Sequence, residues 1–263
     1  MDTQQQEYYN ILLIGDSCDD IYHYGTCDRL SPEAPVPIIK QSSIEIRKGM
    51  SSNVRLNLES FKTNVRHITN TETIRKHRFI DSRFNQHLLR WDEGENQTIE
   101  PLNLNILDDL QNLDAIVISD YDKGFLPFQI CQDLILLIKS KNPNLPIFVD
   151  TKKRNIDCYR DCYIKINKKE YDNLLSYDSS HELIVTLGDR GALYRGKLYL
   201  TESVEVFDVC GAGDVFLSSM VASYLKHGTI EKAIRFANKM ATTSVKHTGT
   251  YVLTGRDIEE YNS

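Results

Sequence analysis

The run Asp208-Val209-Cys210-Gly211-Ala212-Gly213-Asp214 carries the clearest chemistry of the chain. It follows an alternating stretch, Ser203-Val204-Glu205-Val206-Phe207, expected as a strand, and precedes an amphipathic stretch from Val215 to Leu225, expected as a helix. A glycine-rich turn at that junction leaves backbone N–H groups free at the positive end of the helix dipole, which makes a seat for an anion. Gly211 and Gly213 let the backbone approach a phosphate with no side chain in the way. Asp214 needs a separate reason to stand beside an anion. One is a general base that takes the proton from a hydroxyl attacking phosphorus. The other is a first-turn carboxylate, favoured by the dipole by about 0.3–1 kcal/mol.

Other polar residues sit where strands are expected to end. Asp16 closes the apolar run Tyr8–Ile14, with Asp19 and Asp20 just after it; these read either as a solvated acidic turn or as acceptors for hydroxyl groups. Asp120 ends the run from Leu113 to Tyr121, Asp150 the run from Pro146, and Asn167 the run from Tyr163. Glu170 follows Asn167 at capping-box spacing, so the pair is either a helix cap or a ligand contact. Thr186 lies in the run Leu183–Leu187, before Gly188-Asp189-Arg190-Gly191. Helices are expected from Ser51 or Ser52 as cap to Phe61, over Phe128–Lys141, and after a Thr229 cap, where Ile230, Ala233, Ile234, Ala237, Met240 and Ala241 form one stripe. Strands alternating with helices, with polar residues gathered at strand ends, predict an α/β layered domain with its ligands at those ends.

Composition narrows the class. The 263 residues suit one sizeable domain, and 41% hydrophobic with 26% charged residues describe an ordinary globular protein. A net charge of −6 argues against a general nucleic-acid binder, although residues 66–90 hold six Arg and Lys against two acids. That basic stretch is expected to face solvent or the phosphate of a sugar phosphate. The polar start Met1–Glu7 is no signal peptide, and the longest aliphatic run, Leu134–Ile138, falls far short of the ~20 residues of a membrane span. A cytoplasmic protein away from membranes is expected, with its six cysteines (18, 27, 131, 158, 162, 210) as reduced thiols.

Asp208–Asp214 resembles the C-terminal signature of the ribokinase-like (PfkB) sugar kinases, Asp-x-Thr-Gly-Ala-Gly-Asp, with Cys210 in place of the threonine. A second stretch, from Gly15-Asp16 through Asp20, Tyr22, Tyr24-Gly25 to Arg29-Leu30-Ser31-Pro32-Glu33-Ala34-Pro35-Val36-Pro37, is similar to the heptose-7-phosphate kinase branch of that family. Further similar segments are Arg47–Val54, Asp120–Gly124, Lys152, Asn167–Glu170 and Thr248–Thr250. The resemblance implies a ribokinase-like αβα sandwich, residues 1–263, with a small β-lid from segments of about 22–47 and 73–92. The lid implies a homodimer, through a 22–39 ribbon whose prolines bar a helix or a central strand. Implied activity is transfer of the ATP γ-phosphate to a hydroxyl of a sugar phosphate, O1 of D-glycero-D-manno-heptose 7-phosphate in that branch. Asp214 would be the base and Gly211, Ala212 and Gly213 the anion hole. Asp16, Asp20, Gly49, Asn53 and Lys152 would meet the sugar. Asn167 and Glu170 would position Mg²⁺ through water, with Thr186, Gly188 and Asn238 around the nucleotide. A monovalent cation is a further implied cofactor. Two departures stand out. Met50 replaces the family's second glycine, where a side chain needs space and takes φ > 0 only at a cost. A helix and a strand are missing after residue 68. The nucleotidyltransferase domain of some members is not expected within the chain.

Overall fold

The computed structural model describes residues 8–107 and 110–259; the start Met1–Glu7 lies outside them. An eight-stranded sheet forms the body. In spatial order it runs β12 (Lys197–Tyr199), β11 (Ala192–Tyr194), β10 (Glu182–Thr186), β9 (Tyr163–Asn167), β8 (Ile147–Thr151), β7 (Ala115–Asp120), β1 (Asn10–Gly15) and β4 (Asn64–Ile68). All neighbours from β10 to β4 are parallel, and the last two strands return antiparallel. Parallel strands covered on both faces must be apolar throughout, which is why β1 reads Ile11-Leu12-Leu13-Ile14 without alternation. Leu12 and Ile14 pack toward α2 (Phe128–Lys141); Ile11 and Leu13 pack toward α1 (Ser51–Ser60), α4 (Ala212–His227) and α5 (Ile230–Ser244). Short α3 (Lys168–Asp172) and α6 (Gly255–Glu259) complete the helices.

The sheet stops at β4. From Ile68 the chain reaches the next strand at Arg75 with no intervening helix or strand, as the sequence predicts. That strand belongs to a second sheet of four, ordered β3 (Pro37–Met50), β2 (Ser17–Leu30), β5 (Arg75–Asp81) and β6 (Gln86–Glu93). It covers the strand ends of the main sheet as a lid. Tyr22 Oη accepts from the Thr250 N–H (3.2 Å), and Arg47 donates to the Thr248 carbonyl (2.6 Å), so the lid is latched to the turn after α5.

Several local expectations are corrected. Ser203–Phe207 pairs with no strand; the Phe207 and Asp208 N–H groups go to the Val245 carbonyl, and the alternating valines border a cavity instead. Asp19 and Asp20 form no turn, because β2 begins at once after Gly15-Asp16 and both residues are paired in it. The prolines confine themselves to the β2–β3 loop and the first residue of β3, so β2 is an inner strand of the lid. Met50, not Ser51 or Ser52, holds the cap position of α1, and neither it nor Thr229 makes a side-chain capping bond.

Candidate active site

Asp208 builds the glycine turn. One carboxylate oxygen accepts from the Cys210 N–H (2.9 Å) and the other from the Gly249 N–H (2.8 Å), tying the turn to the lid latch. Gly211 then takes φ +77, a left-handed conformation that costs glycine little, and caps α4. The Ala212 N–H turns back to the Val209 carbonyl (3.3 Å), and those of Asp214 and Val215 go to Gly211. The amides of Gly211 and Gly213 meet no acceptor among the described residues and are left as free donors at the helix start.

Asp214 is buried in the first turn of α4. Its two oxygens accept from Asn53 Nδ2 (2.9 Å) and Tyr121 Oη (2.8 Å). Burial raises its pKa to about 6, against the lowering effect of the Asn53 bond. It therefore stays ionised at neutral pH yet is a stronger base than a free carboxylate.

A cavity of about 590 Å³ opens on one side of Asp214. Gly211, Ala212, Gly213, Asn167, Thr186, Gly188 and Asn238 all line it, and Val204, Val206, Val209, Phe216, Ala241 and Val245 supply an apolar slot. Asn167 and Glu170 form a complete capping box: Asn167 Oδ1 accepts from the Glu170 N–H (2.9 Å) and Glu170 accepts from the Asn167 N–H (2.7 Å). Asn238 is committed as well, donating to the Tyr199 carbonyl (2.7 Å). Lys152, a sugar contact by expectation, lines this cavity too, its Nζ 2.5 Å from Glu170 and 3.5 Å from Asp150. Burial works against the Lys152 charge, but those two carboxylates outweigh it and hold the pKa above the ordinary lysine value.

On the other side, under the lid, lie Asp16, Asp20, Gly49 and Asn53. Asp16 accepts from the Tyr121 N–H (2.8 Å) through one oxygen, while the other is buried without a partner among the described residues. Burial, with Asp120 nearby, lifts its pKa to about 6. Asp20 is buried in an ion pair with Arg78, and Gly49 runs so close that a Cβ there would meet the Asp20 carboxylate at 2.5 Å. Cross-strand register puts Asp20, Tyr22, Arg47, Lys76, Arg78 and Arg90 on this inner face of the lid. Tyr121 joins the two sides. Lys76 lies over its ring at 5.6 Å and Lys152 at 5.2 Å.

This layout has counterparts. The profile of the pfkB family of carbohydrate kinases matches residues 57–254. The chain belongs to that family. The pfkB carbohydrate kinases are ATP-dependent sugar kinases. The bifunctional protein HldE of a Nitratiruptor species is 32% identical over 95% of the chain and 64% of its own length. HldE of Escherichia coli is 29% identical over 96% of the chain and 63% of its own. The chain thus spans less than two thirds of these relatives. Phosphofructokinase-2 of Escherichia coli in complex with potassium shares the fold at TM-score 0.76 and 13% identity, covering 97% of this chain and 98% of that one. Arabidopsis thaliana ribokinase complexed with ribose and ATP does so at 0.69 and 14%, over 97% and 98%.

Sequence reasoning gave Lys76 only a share in the basic stretch and Asp150 only a strand end, and it left Tyr121 and Lys165 of this pfkB kinase without roles. Lys165 had a visible signal: a lysine between Ile164 and Ile166 in the middle of a buried strand. Tyr121 had only its place in the family-like segment Asp120–Gly124, since a tyrosine at a strand end packs as often as it binds. Among the described residues no helix is long and apolar enough to cross a membrane, and all six cysteines are free thiols.

Proposed function

We propose that this kinase phosphorylates a sugar phosphate, D-glycero-D-manno-heptose 7-phosphate at O1, with ATP in the 590 Å³ cavity and the sugar under the lid. The observation that carries a phosphorylated acceptor is Lys76. Its side chain is buried on the inner lid face, over Tyr121, with no carboxylate of the described residues in ion-pair contact. Asp92 stands across the strand pair and acts on it only through space; a buried ammonium without a direct ion pair is costly, and an anionic substrate group would supply one. The HldE relatives favour the heptose among sugar phosphates.

In this reading Asp16 offers its unpartnered oxygen to a sugar hydroxyl. Asp214 takes the proton of the attacking hydroxyl as the oxygen–phosphorus bond forms. The Gly211 and Gly213 amides hold the phosphoryl oxygens. Donor chemistry fits Mg²⁺ carried in on the nucleotide: the hard oxygen of Asn167 lines the cavity, Glu170 is bonded to Asn167 and Lys152 beside it, and no three potential metal ligands cluster among the described residues. Such an ion keeps its waters and needs one or two protein oxygens; its chemistry would be charge neutralisation on the phosphates.

The outer lid face supports a homodimer. Register places Ile21, His23, Ile44, Ile46, His77, Phe79, Leu89 and Trp91 on it, and Ile44, Ile46, Leu89 and Trp91 are exposed. The 22–39 ribbon would extend this surface without being its centre. A turnover panel tests the substrate reading: heptose 7-phosphate, its dephosphorylated form, fructose 6-phosphate and ribose, each with Mg·ATP in K⁺ and in Na⁺. Heptose 7-phosphate is expected to give the highest kcat/KM, and a free sugar equalling it would refute the phosphate requirement.

A further inference from the structure

Lys165 lies in the middle of β9, and Ile164 and Ile166 on either side of it are fully buried. Its own side chain is only 3% exposed, as is that of Asp150, whose Oδ2 takes the Lys165 ammonium at 2.7 Å. A buried ion pair is rarely the best way to stabilise a fold; an apolar pair of the same volume is often as good or better. This pair also faces the catalytic cavity, and both residues line it. The ammonium is pressed against the anion seat: a Cβ on Gly213 would lie 2.7 Å from Lys165 Nζ. An ammonium has three donors, and among the described residues Asp150 takes one. The Asp150 carboxylate is shared with Lys152, which turns on to Glu170. Two lysines thus diverge from one carboxylate, and Lys165 is the one held against Gly213.

We propose that Lys165 is a catalytic residue of the phosphoryl transfer, its ammonium held by Asp150 and touching an oxygen of the group in flight. The bond from the γ-phosphorus to the ADP oxygen breaks, the bond to the sugar oxygen forms, and the sugar proton passes to Asp214. Lys165 keeps its proton throughout. Charge on the transferring group spreads over its three equatorial oxygens, and a fixed donor placed there beforehand stabilises the transition state more than the ground state.

The test compares the parent with Lys165→Met, Asp150→Asn and the double variant Asp150→Asn/Lys165→Met, which removes the pair without stranding a buried charge. The inference rests on the kinase activity, so two readouts are taken. In turnover, the double variant is expected to lose about 100-fold in kcat with sugar KM little changed, while Asp150→Asn alone loses less than about tenfold. In calorimetry, the parent binds Mg·ADP more tightly when aluminium fluoride completes a mimic of the transferring phosphoryl, and the double variant loses that gain while keeping its Mg·ADP affinity. A folded double variant with kcat within threefold of the parent overturns the proposal. So does one that retains the aluminium fluoride gain, or an Asp150→Asn variant as impaired as the double. A parent that turns over none of the sugars refutes the substrate reading instead, and the calorimetric comparison then decides Lys165 alone.

Discussion

Asn53 donates its side-chain amide to Asp214 at 2.9 Å, joining the first turn of α1 to the first turn of α4 across 161 positions of sequence. In the proposed reading Asn53 therefore acts on the base as well as meeting the sugar. Its bond favours the ionised carboxylate and offsets part of the rise caused by burial. Removing it in Asn53→Ala should move the Asp214 pKa upward from about 6. The acid limb of kcat/KM, expected near pH 6 in the parent, should shift toward neutrality, and a pH–rate profile measures it. A limb that stays in place, with only KM altered, would assign Asn53 to the sugar alone.

Asp214→Asn separates catalysis from stability. Loss of a general base costs about 10²–10⁴ in rate, roughly 3–5 kcal/mol of barrier. Stability should move the other way. The folded carboxyl has a pKa raised from 3.8 to about 6, so its stabilising contribution is complete below pH 3.8 and is lost as pH rises through 6. At pH 7.5 the ionised Asp214 costs the fold up to about 3 kcal/mol at 1.36 kcal/mol per pKa unit, and asparagine removes that cost. Turnover should collapse while Tm at pH 7.5 rises and ATP affinity holds or improves. Turnover within threefold of the parent would rule out Asp214 as the base.

The strand-end rule made most of the cleft legible. Asp16, Asp150 and Asn167 stand where it says, because parallel strands covered on both faces carry most of their polar residues near their ends, whereas Asp214 enters from the first turn of α4 with no strand before it. The alternation of Ser203–Phe207 misled, since periodicity reports one wet and one dry side and a cavity rim has both. Lys152 turns to Asp150 and Glu170 at the cavity, a direction sequence order cannot give, since it says nothing about which way a long side chain turns. The pairing of Asn53 with Asp214 could not be seen at all: nothing local in either helix start asks for the other.

Met50 stands at φ +55, ψ −134, a conformation suited to glycine, with its side chain 3% exposed in the main core. Backbone strain of this kind costs about 1–3 kcal/mol, while truncating a buried methionine to alanine costs about 2–5 kcal/mol. Packing is therefore the larger effect, and both Met50→Gly and Met50→Ala should destabilise. Their order is the informative result. Alanine keeps the strain and loses the packing, whereas glycine loses both. Glycine should come out more stable than alanine, the reverse of the usual preference of about 0.5–1 kcal/mol for alanine. Chemical denaturation of the three proteins gives the ranking, and alanine above glycine would mean that position 50 carries no strain.

The outer lid face yields a prediction about assembly. Ile44, Ile46, Leu89 and Trp91 are each more than half exposed and share one face of the four-stranded sheet. Leu89 and Trp91 sit on β6, an edge strand, and Ile44 and Ile46 on β3, the opposite edge. A face with exposed apolar side chains at both edges, around the His23–His77 pair, is poorly suited to water and well suited to a second copy. Leu89→Lys with Trp91→Lys puts two charges at its β6 side. Neither residue contributes to the inner face, where Asp20, Tyr22, Lys76 and Arg78 point toward the cleft. Light scattering over a dilution series should find a dimer for the parent and a monomer for the double variant. The lid is latched to its own chain through Tyr22 and Arg47, so the monomer should keep its nucleotide affinity. Any loss of activity should appear in the KM for the sugar, the ligand that the lid covers. A parent that is monomeric at every concentration would remove the dimer while leaving the chemistry at Asp214 untouched.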